Sequence, residues 1–466
     1  MHFDQPPAAA PTHDFDARPW YRTLNRYQWF VLVVASLGWL FDTMDQQLFN
    51  LARKPAITEL LSKADGVAAA PGRIDEFGGY ATSIFIIGWA LGGLIFGILG
   101  DRIGRAKTMM LTILIYSAFT GLSALATGVW DFSFYRFLTG LGVGGEFAVG
   151  VSLVAEVMPA RARPAALGLL QASSAFGNMA AAVAGIALGS LEESGRIGSA
   201  WRAMFVIGLV PALLAIPIFR KLKEPDAWQA AARGPAAENA PQIKLGSIHE
   251  LFGDPRWRRN TVVGMLLAFA GVVGLWGIGF FSFDLARSIF RKTYTAEGFA
   301  PKVIDGKLTQ LAGVISFLQN LGGFFGVMAF SWFTSRSGRK PAFAVSFVLA
   351  MAATAFTFWF LKTPADIYWM IPLMGFCQLT LFGGYAIYFP ELFPTRLRST
   401  GTSFCYNVGR LVAAAGPVSL GLLTNRVFSG YDEPMRYAGV AMSSIFVIGL
   451  IALPFAPETK GKPLPE

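Results

Sequence analysis

The sequence predicts an all-α membrane protein, with twelve transmembrane helices arranged as two pseudo-symmetric six-helix bundles. Three observations carry that reading. The chain is apolar: 54% of its 466 residues are hydrophobic, 15% are charged, and the mean hydropathy is +0.48. Stretches such as 84–99 and 262–281 contain no charge, and a helix needs roughly 20 apolar residues to cross a hydrocarbon layer of ~30 Å. The chain also repeats itself. Glu156-Val-Met-Pro159-Ala-Arg161-Ala-Arg163 returns 235 residues later as Glu391-Leu-Phe-Pro394-Thr-Arg396-Leu-Arg398. A repeat at half the chain length points to two related halves, and hydrophobic halves of this kind typically rock about a central site. Finally, a single polar stretch at 221–259 separates the halves.

Taken in order, a tail over 1–27 precedes spans at 28–50, 79–99, 108–127, 133–156, 166–190 and 202–220, which form the first bundle over 28–220. The linker 221–259 is rich in charge, Ala and Pro, a composition that suits a solvated connection with a short surface helix. Spans at 260–283, 309–333, 342–361, 367–392, 400–423 and 437–457 form the second bundle over 260–457, and 458–466 is a tail. Trp20, Tyr21, Tyr27 and Trp29 before the first span read as an interfacial aromatic belt. The stretch 51–78 reads as a long mixed-charge loop.

Charge sets the orientation. With the N-terminus in the cytoplasm, the tails, the linker and the turns at 102–107, 161–163, 336–340 and 396–398 share one side. That side holds 23 Lys and Arg against 14 in the opposite loops. Such an excess marks the cytoplasmic face, so both termini are expected there, in the inner (plasma) membrane. The net charge of +10 is accounted for in this way, and no nucleic-acid partner is expected. The partners expected are the lipid bilayer, a small-molecule substrate and protons, with the protein as a monomer. Cys377 and Cys405 lie in apolar runs and only three His are present, so neither a disulfide framework, a metal site nor a cofactor is expected. An enzyme is not expected either. Gly140-Leu-Gly-Val-Gly-Gly145 superficially matches a dinucleotide loop but lies inside an apolar span with no preceding strand.

The turn after the second span reads Gly97-Ile-Leu-Gly-Asp101-Arg102-Ile-Gly104-Arg105-Ala-Lys107, and its second-half counterpart reads Ser335-Arg336-Ser337-Gly338-Arg339-Lys340. Asp101 is placed to cap a helix start or to pair with an Arg. In these motifs the chain resembles the major facilitator superfamily over nearly its whole length. The 97–107 stretch matches that family's G-x-x-x-D-R-x-G-R signature. Arg136-Phe-Leu-Thr-Gly140-Leu-Gly142-Val-Gly144-Gly145-Glu146 matches its R-x-x-x-G-x-G-x-G-G signature in span four. Pro457-Glu458-Thr459-Lys460-Gly461 resembles the tail of sugar porters and their organic-acid relatives, and Lys223-Glu224-Pro225-Asp226-Ala-Trp228 is loosely similar to their motif after span six. The second-half turn departs from the signature, with Ser331 and Ser335 in place of its Gly and Asp.

The resemblance implies alternating access between the bundles. It also implies a cytoplasmic gate of ion pairs among Asp101, Arg102, Arg105, Glu156, Arg161, Arg163, Arg336, Arg339, Glu391, Arg396 and Arg398. Exposed pairs are worth only ~0–1 kcal/mol each, which suits a reversible switch.

Charges within the spans carry the chemistry. Asp42 and Asp45 lie deep in span one and, at i and i+3, share a helix face. An intramembrane carboxylate costs on the order of 2.5–3.5 kcal/mol and marks a functional site by default. Asp45 lies ~8 Å and Arg136 ~5 Å from the same membrane face, so the two can meet. The resemblance implies the same pairing, because proton-coupled sugar porters place a span-one Asp against the span-four Arg, and organic-acid symporters carry Asp-Gly-Phe-Asp where this chain has Asp42-Thr-Met-Asp45. Asp45, Asp42 and Arg136 are therefore the candidate proton-coupling group.

Glu146 is a third buried acid and a candidate substrate contact, and its G-G-E context resembles sialate and monocarboxylate symporters. Arg410, ~15 Å into span eleven beside Tyr406 and Asn407, offers a cation to a carboxylate substrate or a salt bridge to Asp42 or Glu146. Gln171, Asn178, Gln319 and Asn320 are further candidates for substrate contact. Trp276, Phe280, Tyr385 and Tyr388 are candidates for aromatic walls, and Gly140 and Gly144, four apart, for close helix packing. The function expected is proton-coupled symport of a small organic anion such as a sialate, monocarboxylate or sugar acid. The alternatives are a proton-coupled sugar or polyol symporter, an efflux antiporter and a transporter-like receptor.

Overall fold

The computed structural model describes residues 19–67, 70–233, 244–278, 282–413 and 422–466. Its first half consists of α1 (Arg26–Asp65), α2 (Pro71–Arg102), α3 (Arg105–Ser123), α4 (Val129–Val157), α5 (Arg163–Glu193) and α6 (Ala200–Lys221). Its second consists of α7 (Pro255–Val272), α8 (Pro301–Ser337), α9 (Arg339–Phe360), α10 (Pro364–Leu392), α11 (Arg398–Ala413) and α12 (Pro434–Phe455). The boundaries follow local chemistry. Asn25 and Gln28 form a reciprocal capping box at the start of α1, satisfying donors the helix itself leaves open. Gly66, at φ 70°, ends that helix. Pro71 opens α2 at a position where a missing N–H costs nothing.

Nine of these helices are long and apolar enough by themselves to cross a membrane. The other three predicted spans fall on α1 and α3, whose polar residues lower their hydropathy but face inward, and on α11, of which 16 residues are described. Asp42 and Asp45 on α1, Thr112 and Thr120 on α3, and Ser403 and Asn407 on α11 are all buried. Among the described residues there is no strand.

The halves mirror each other in packing. α2 lies on α4 and α1 on α5, as α8 lies on α10 and α7 on α11; between the halves, α5 meets α8 and α2 meets α11. Gly140 and Gly144 serve the close packing their spacing predicts. A Cβ at either would strike backbone of α2, at Phe85 and at Trp89 respectively. The tail after α12, the helices Asp226–Arg233 and Ile248–Gly253, and the turns after α2, α4, α8 and α10 gather at one end of the bundle. Contacts such as Trp228 to the Asp101 carbonyl, Gly246 to that of Arg396, and Arg339 to Glu458 define this linker side.

Two readings of the sequence are corrected. The stretch 51–78 is mostly helix, not loop. Ala52, Ala56, Ile57, Leu60 and Leu61 recur at helical spacing and are buried, while the charges between them face outward. Glu59 then ties this extension to α6 through Trp201 (2.6 Å) and Arg202 (3.0 Å). Likewise the gap between the seventh and eighth spans contains a helix at Ser282–Ala296, with Leu285, Ala286 and Phe290 packed against Ile304 and Leu308. Residues 1–18 of the expected 1–27 tail, positions 68–69, part of the linker (234–243) and parts of the seventh and eleventh spans (279–281 and 414–421) lie outside the described residues.

Candidate functional site

Between the halves α1, α5, α8, α10 and α11 surround a partly open cavity. Trp39, Thr43, Gln46, Gln47 and Asn50 line it from α1, and Gln171, Ser174 and Asn178 from α5. Ser316, Gln319 and Asn320 come from α8, Leu379 and Phe382 from α10, and Tyr406 and Arg410 from α11, with Leu275 just beyond α7. Spacings of three and four keep each set on one helix face. Four predicted substrate contacts, Gln171, Asn178, Gln319 and Asn320, thus share one wall with Tyr406 and Arg410. The Asn178 Nδ2 donates to Asn320 Oδ1 at 2.8 Å, joining the halves at the cavity itself.

Arg410 lies between two rings. Its guanidinium carbon is 3.8 Å from the Trp89 ring centroid and 4.3 Å from that of Tyr406, and Phe147 stacks on the far side of Tyr406 at 4.1 Å. Its Nε and Nη1 have no hydrogen-bond partner among the described residues. No salt bridge forms to Asp42 or Glu146, although Asp42 lies within electrostatic reach.

The predicted meeting of Asp45 and Arg136 is present, through an intermediary. Thr120 donates to Asp45 Oδ1 at 2.5 Å and accepts from Arg136 Nη2 at 3.0 Å, while the direct Nη1–Oδ2 approach is 3.5 Å. Ser123 and Thr139 take two further N–H groups, and Phe205 lies 4.7 Å from the guanidinium. Asp42, on the same face of α1, is fully buried and neither of its oxygens has a partner.

Several expectations fail on position. Glu146 does not line the cavity; it lies behind α1 against Gly38 and accepts from Thr112 at 2.6 Å. Asn407 is turned away too, its Nδ2 bonded to the Ser403 carbonyl and hydroxyl at 3.0 Å and to the Gly144 carbonyl at 3.4 Å. Tyr385 and Tyr388 are buried inside the second half, donating to the carbonyls of Leu267 and Pro457, and form no cavity wall. Phe280 and the side chain of Trp276 lie outside the described residues.

At the linker side Glu156 accepts from Arg105 at 2.9 Å and from Arg398 at 2.7 Å, and Arg105 reaches the Thr395 carbonyl at 2.6 Å. Asp101 pairs with Arg105 at 2.9 Å and accepts from the backbone N–H of Ser399 and Thr400 at the start of α11, where the helix dipole favours a carboxylate. The side chains of Asp101, Arg105, Glu156 and Arg398 are all fully buried. This corrects the expectation of exposed, weak pairs, since the flanking helices exclude the water that would screen them.

The second copy is different. Glu391 pairs with Arg339 at 2.8 Å and accepts from Thr459, all within one half, and the hydroxyl of Ser331 crosses to the Pro164 carbonyl at 2.8 Å. Arg396 pairs with Glu250 at 2.7 Å and Arg163 donates to the Ala155 carbonyl. Arg102 donates to Leu245, Arg336 stacks on Trp332, and Arg161 is exposed.

Sequence reasoning missed two capping acids. Glu224 accepts from the backbone N–H of Arg105, Ala106 and Lys107 at the start of α3. Glu458 does the same for Arg339 and Lys340 at the start of α9. The matching E-P and P-E-T motifs after the sixth and twelfth spans were the available signal. Trp89 and Thr120 were also missed, and nothing local to their sequence singles them out.

Residues 36–417 match the Major Facilitator Superfamily. The cis,cis-muconate transport protein of Acinetobacter baylyi is 27% identical over 390 residues, covering 83% of this chain and 86% of that protein. The sialic acid transporter of Escherichia coli K12 is 27% identical over 439 residues, covering 93% and 96%. Among solved structures, a proton:xylose symporter bound to 6-bromo-6-deoxy-D-glucose overlays with a TM-score of 0.72 across 94% of this chain and 98% of that one, at 17% identity, a likeness of fold. The chain belongs to the major facilitator superfamily: it is a multi-pass membrane transporter, not an enzyme.

Proposed function

We propose that this transporter carries a small organic anion together with a proton, by alternating access. One observation supports this above the others: the cavity holds a guanidinium whose Nε and Nη1 are unpartnered. Leaving such donors unsatisfied is costly, and a carboxylate offers charged acceptor oxygens for them. Relatives named for muconate and sialic acid agree with an organic acid.

In this reading Asp45 carries the proton, with Arg136 as counter-charge and Asp42 as a second acid near the substrate cation. The linker side is the cytoplasmic face of the inner membrane, both termini lie there, and a monomer suffices. The buried network of Asp101, Arg105, Glu156 and Arg398 holds that side closed, so the substrate reaches Arg410 from the opposite face. A neutral sugar or polyol is the second reading, favoured by the seven carboxamides lining the cavity.

Uptake into proteoliposomes driven by an imposed pH gradient tests both parts. Acids are expected to be taken up in preference to sugars, Arg410→Ala to abolish acid uptake, and Asp45→Asn to abolish the pH-driven component. Sugar uptake indifferent to Arg410→Ala would overturn the anion reading, and full pH-driven uptake by Asp45→Asn would overturn the proton assignment.

A further inference from the structure

Arg410 offers a ligand only part of itself. A guanidinium presents two faces and an edge of five N–H groups. Here Trp89 covers one face at 3.8 Å and Tyr406 lies over the guanidinium at 4.3 Å. What remains open are Nε and Nη1, which lie on opposite edges of the guanidinium plane. An edge-on approach in the guanidinium plane lets a carboxylate oxygen accept from either group. The covering rings leave no room for a second anion stacked above or below.

Charge counting sets how many anions the cavity can hold. Among the described residues lining the cavity, Arg410 alone is charged; the other polar groups are carboxamides and hydroxyls. These hydrogen-bond hydroxyls, carbonyls and ring nitrogens, but they do not neutralise a charge. Behind the wall Asp42 and Glu146 present carboxyl oxygens without partners. A second carboxylate in the cavity would therefore lose its hydration, gain no cation and face acids, and an uncompensated charge in such surroundings is strongly disfavoured.

We infer that the site is selective for charge as well as for chemical class: it accepts ligands with one carboxylate, held edge-on by Arg410 between Trp89 and Tyr406, and rejects those with two. This rests on the proposal that Arg410 receives the substrate anion, and it adds that the remainder of the substrate is uncharged.

The test is thermal stabilisation of the purified full-length transporter by a matched series at neutral pH: benzoate, terephthalate, the monomethyl ester of terephthalate, and the pair sialic acid and cis,cis-muconate. Half-ester and dianion have nearly the same shape and differ by one charge. The half-ester is expected to bind at least about tenfold more tightly than terephthalate, a difference that ligand-linked stabilisation resolves. Sialic acid should likewise bind more tightly than muconate. Gln171→Lys, which adds a cation to the wall, is expected to narrow the gap between half-ester and dianion.

Equal binding of half-ester and terephthalate, both lost in Arg410→Ala, would overturn the charge selectivity and leave the anion site standing. Failure of every acid to bind, or binding indifferent to Arg410→Ala, would overturn the anion site and this inference with it.

Discussion

Glu156 of the first half meets Arg398 of the second at 2.7 Å, with both side chains fully buried. Its counterpart Glu391 bonds only within its own half, to Arg339 and Thr459. Two copies of one motif therefore do different work: the first joins the bundles, while the second braces one of them.

Glu156→Gln should unlock the linker side. Removing one member of a buried pair leaves cations uncompensated and costs about 3–5 kcal/mol. A cysteine introduced at Ser399 should become reactive to a thiol reagent applied from the linker side. Glu391→Gln should lower the melting temperature without that gain in reactivity. Equal reactivity in both variants would show that the two copies are equivalent.

Glu458 makes the second half sensitive to acid. Its partial burial pushes the carboxyl pKa up, but N–H groups of Arg339, Lys340, Thr459 and Lys460 outweigh this and hold it below the ordinary value of 4.5. A group depressed on folding contributes stability above its ordinary pKa and loses it as pH falls through the folded-state value. Melting temperature should therefore fall as pH drops below about 4.5, and Glu458→Gln should flatten part of that slope. An unchanged slope would show that the cap contributes nothing.

Gly104 and Gly338 precede the two capped helices at φ 114° and 100°, a region that costs side-chain-bearing residues about 1–3 kcal/mol. A Cβ at Gly104 would also collide with the Glu224 carboxylate, as one at Gly338 would with that of Glu458. Gly104→Ala should thus remove strain-free backbone and cap together. The added effect of Glu224→Ala in that background should be well below its effect alone, measured as a double-mutant cycle of melting temperatures. Additive losses would separate cap from turn.

Thr120 holds Asp45 and Arg136 in register. Thr120→Val keeps the shape and deletes a hydroxyl bonded to both charges, a loss of about 1.5–3 kcal/mol for a hydrogen bond to a charged group. pH-driven uptake should fall at least about tenfold, the kinetic equivalent of ~1.4 kcal/mol, and Thr120→Ser should restore most of it. Wild-type uptake by the valine variant would mean the direct 3.5 Å approach suffices.

Much of this was legible in the sequence because it depends on local pattern. Apolar runs and the Glu156/Glu391 repeat specified two bundles, and counting residues from span ends brought Asp45 to Arg136. The failures share a cause. Asn407 and Glu146 were placed by counting along their spans, but which way a residue faces is set by neighbouring helices. Trp89 reaches Arg410 from another helix 321 positions away, a relation no window of sequence contains. The 51–65 helix was missed because its charged outer face masked the apolar one at Ala52, Ala56 and Leu60.

Trp89 belongs to the first half, whereas Tyr406 and Arg410 belong to the second. Gly144 lets the Trp89 backbone lie directly on α4, so that ring travels with the first half as a rigid part of it. If the proposed site binds substrate across a seam that moves, it exists in full only while the seam is closed there. If the halves tilt as proposed, the guanidinium would lose its indole cover and water would reach its face. Affinity would then fall without any residue near the substrate changing its own conformation, and the cargo would be let go by the same motion that opens its exit.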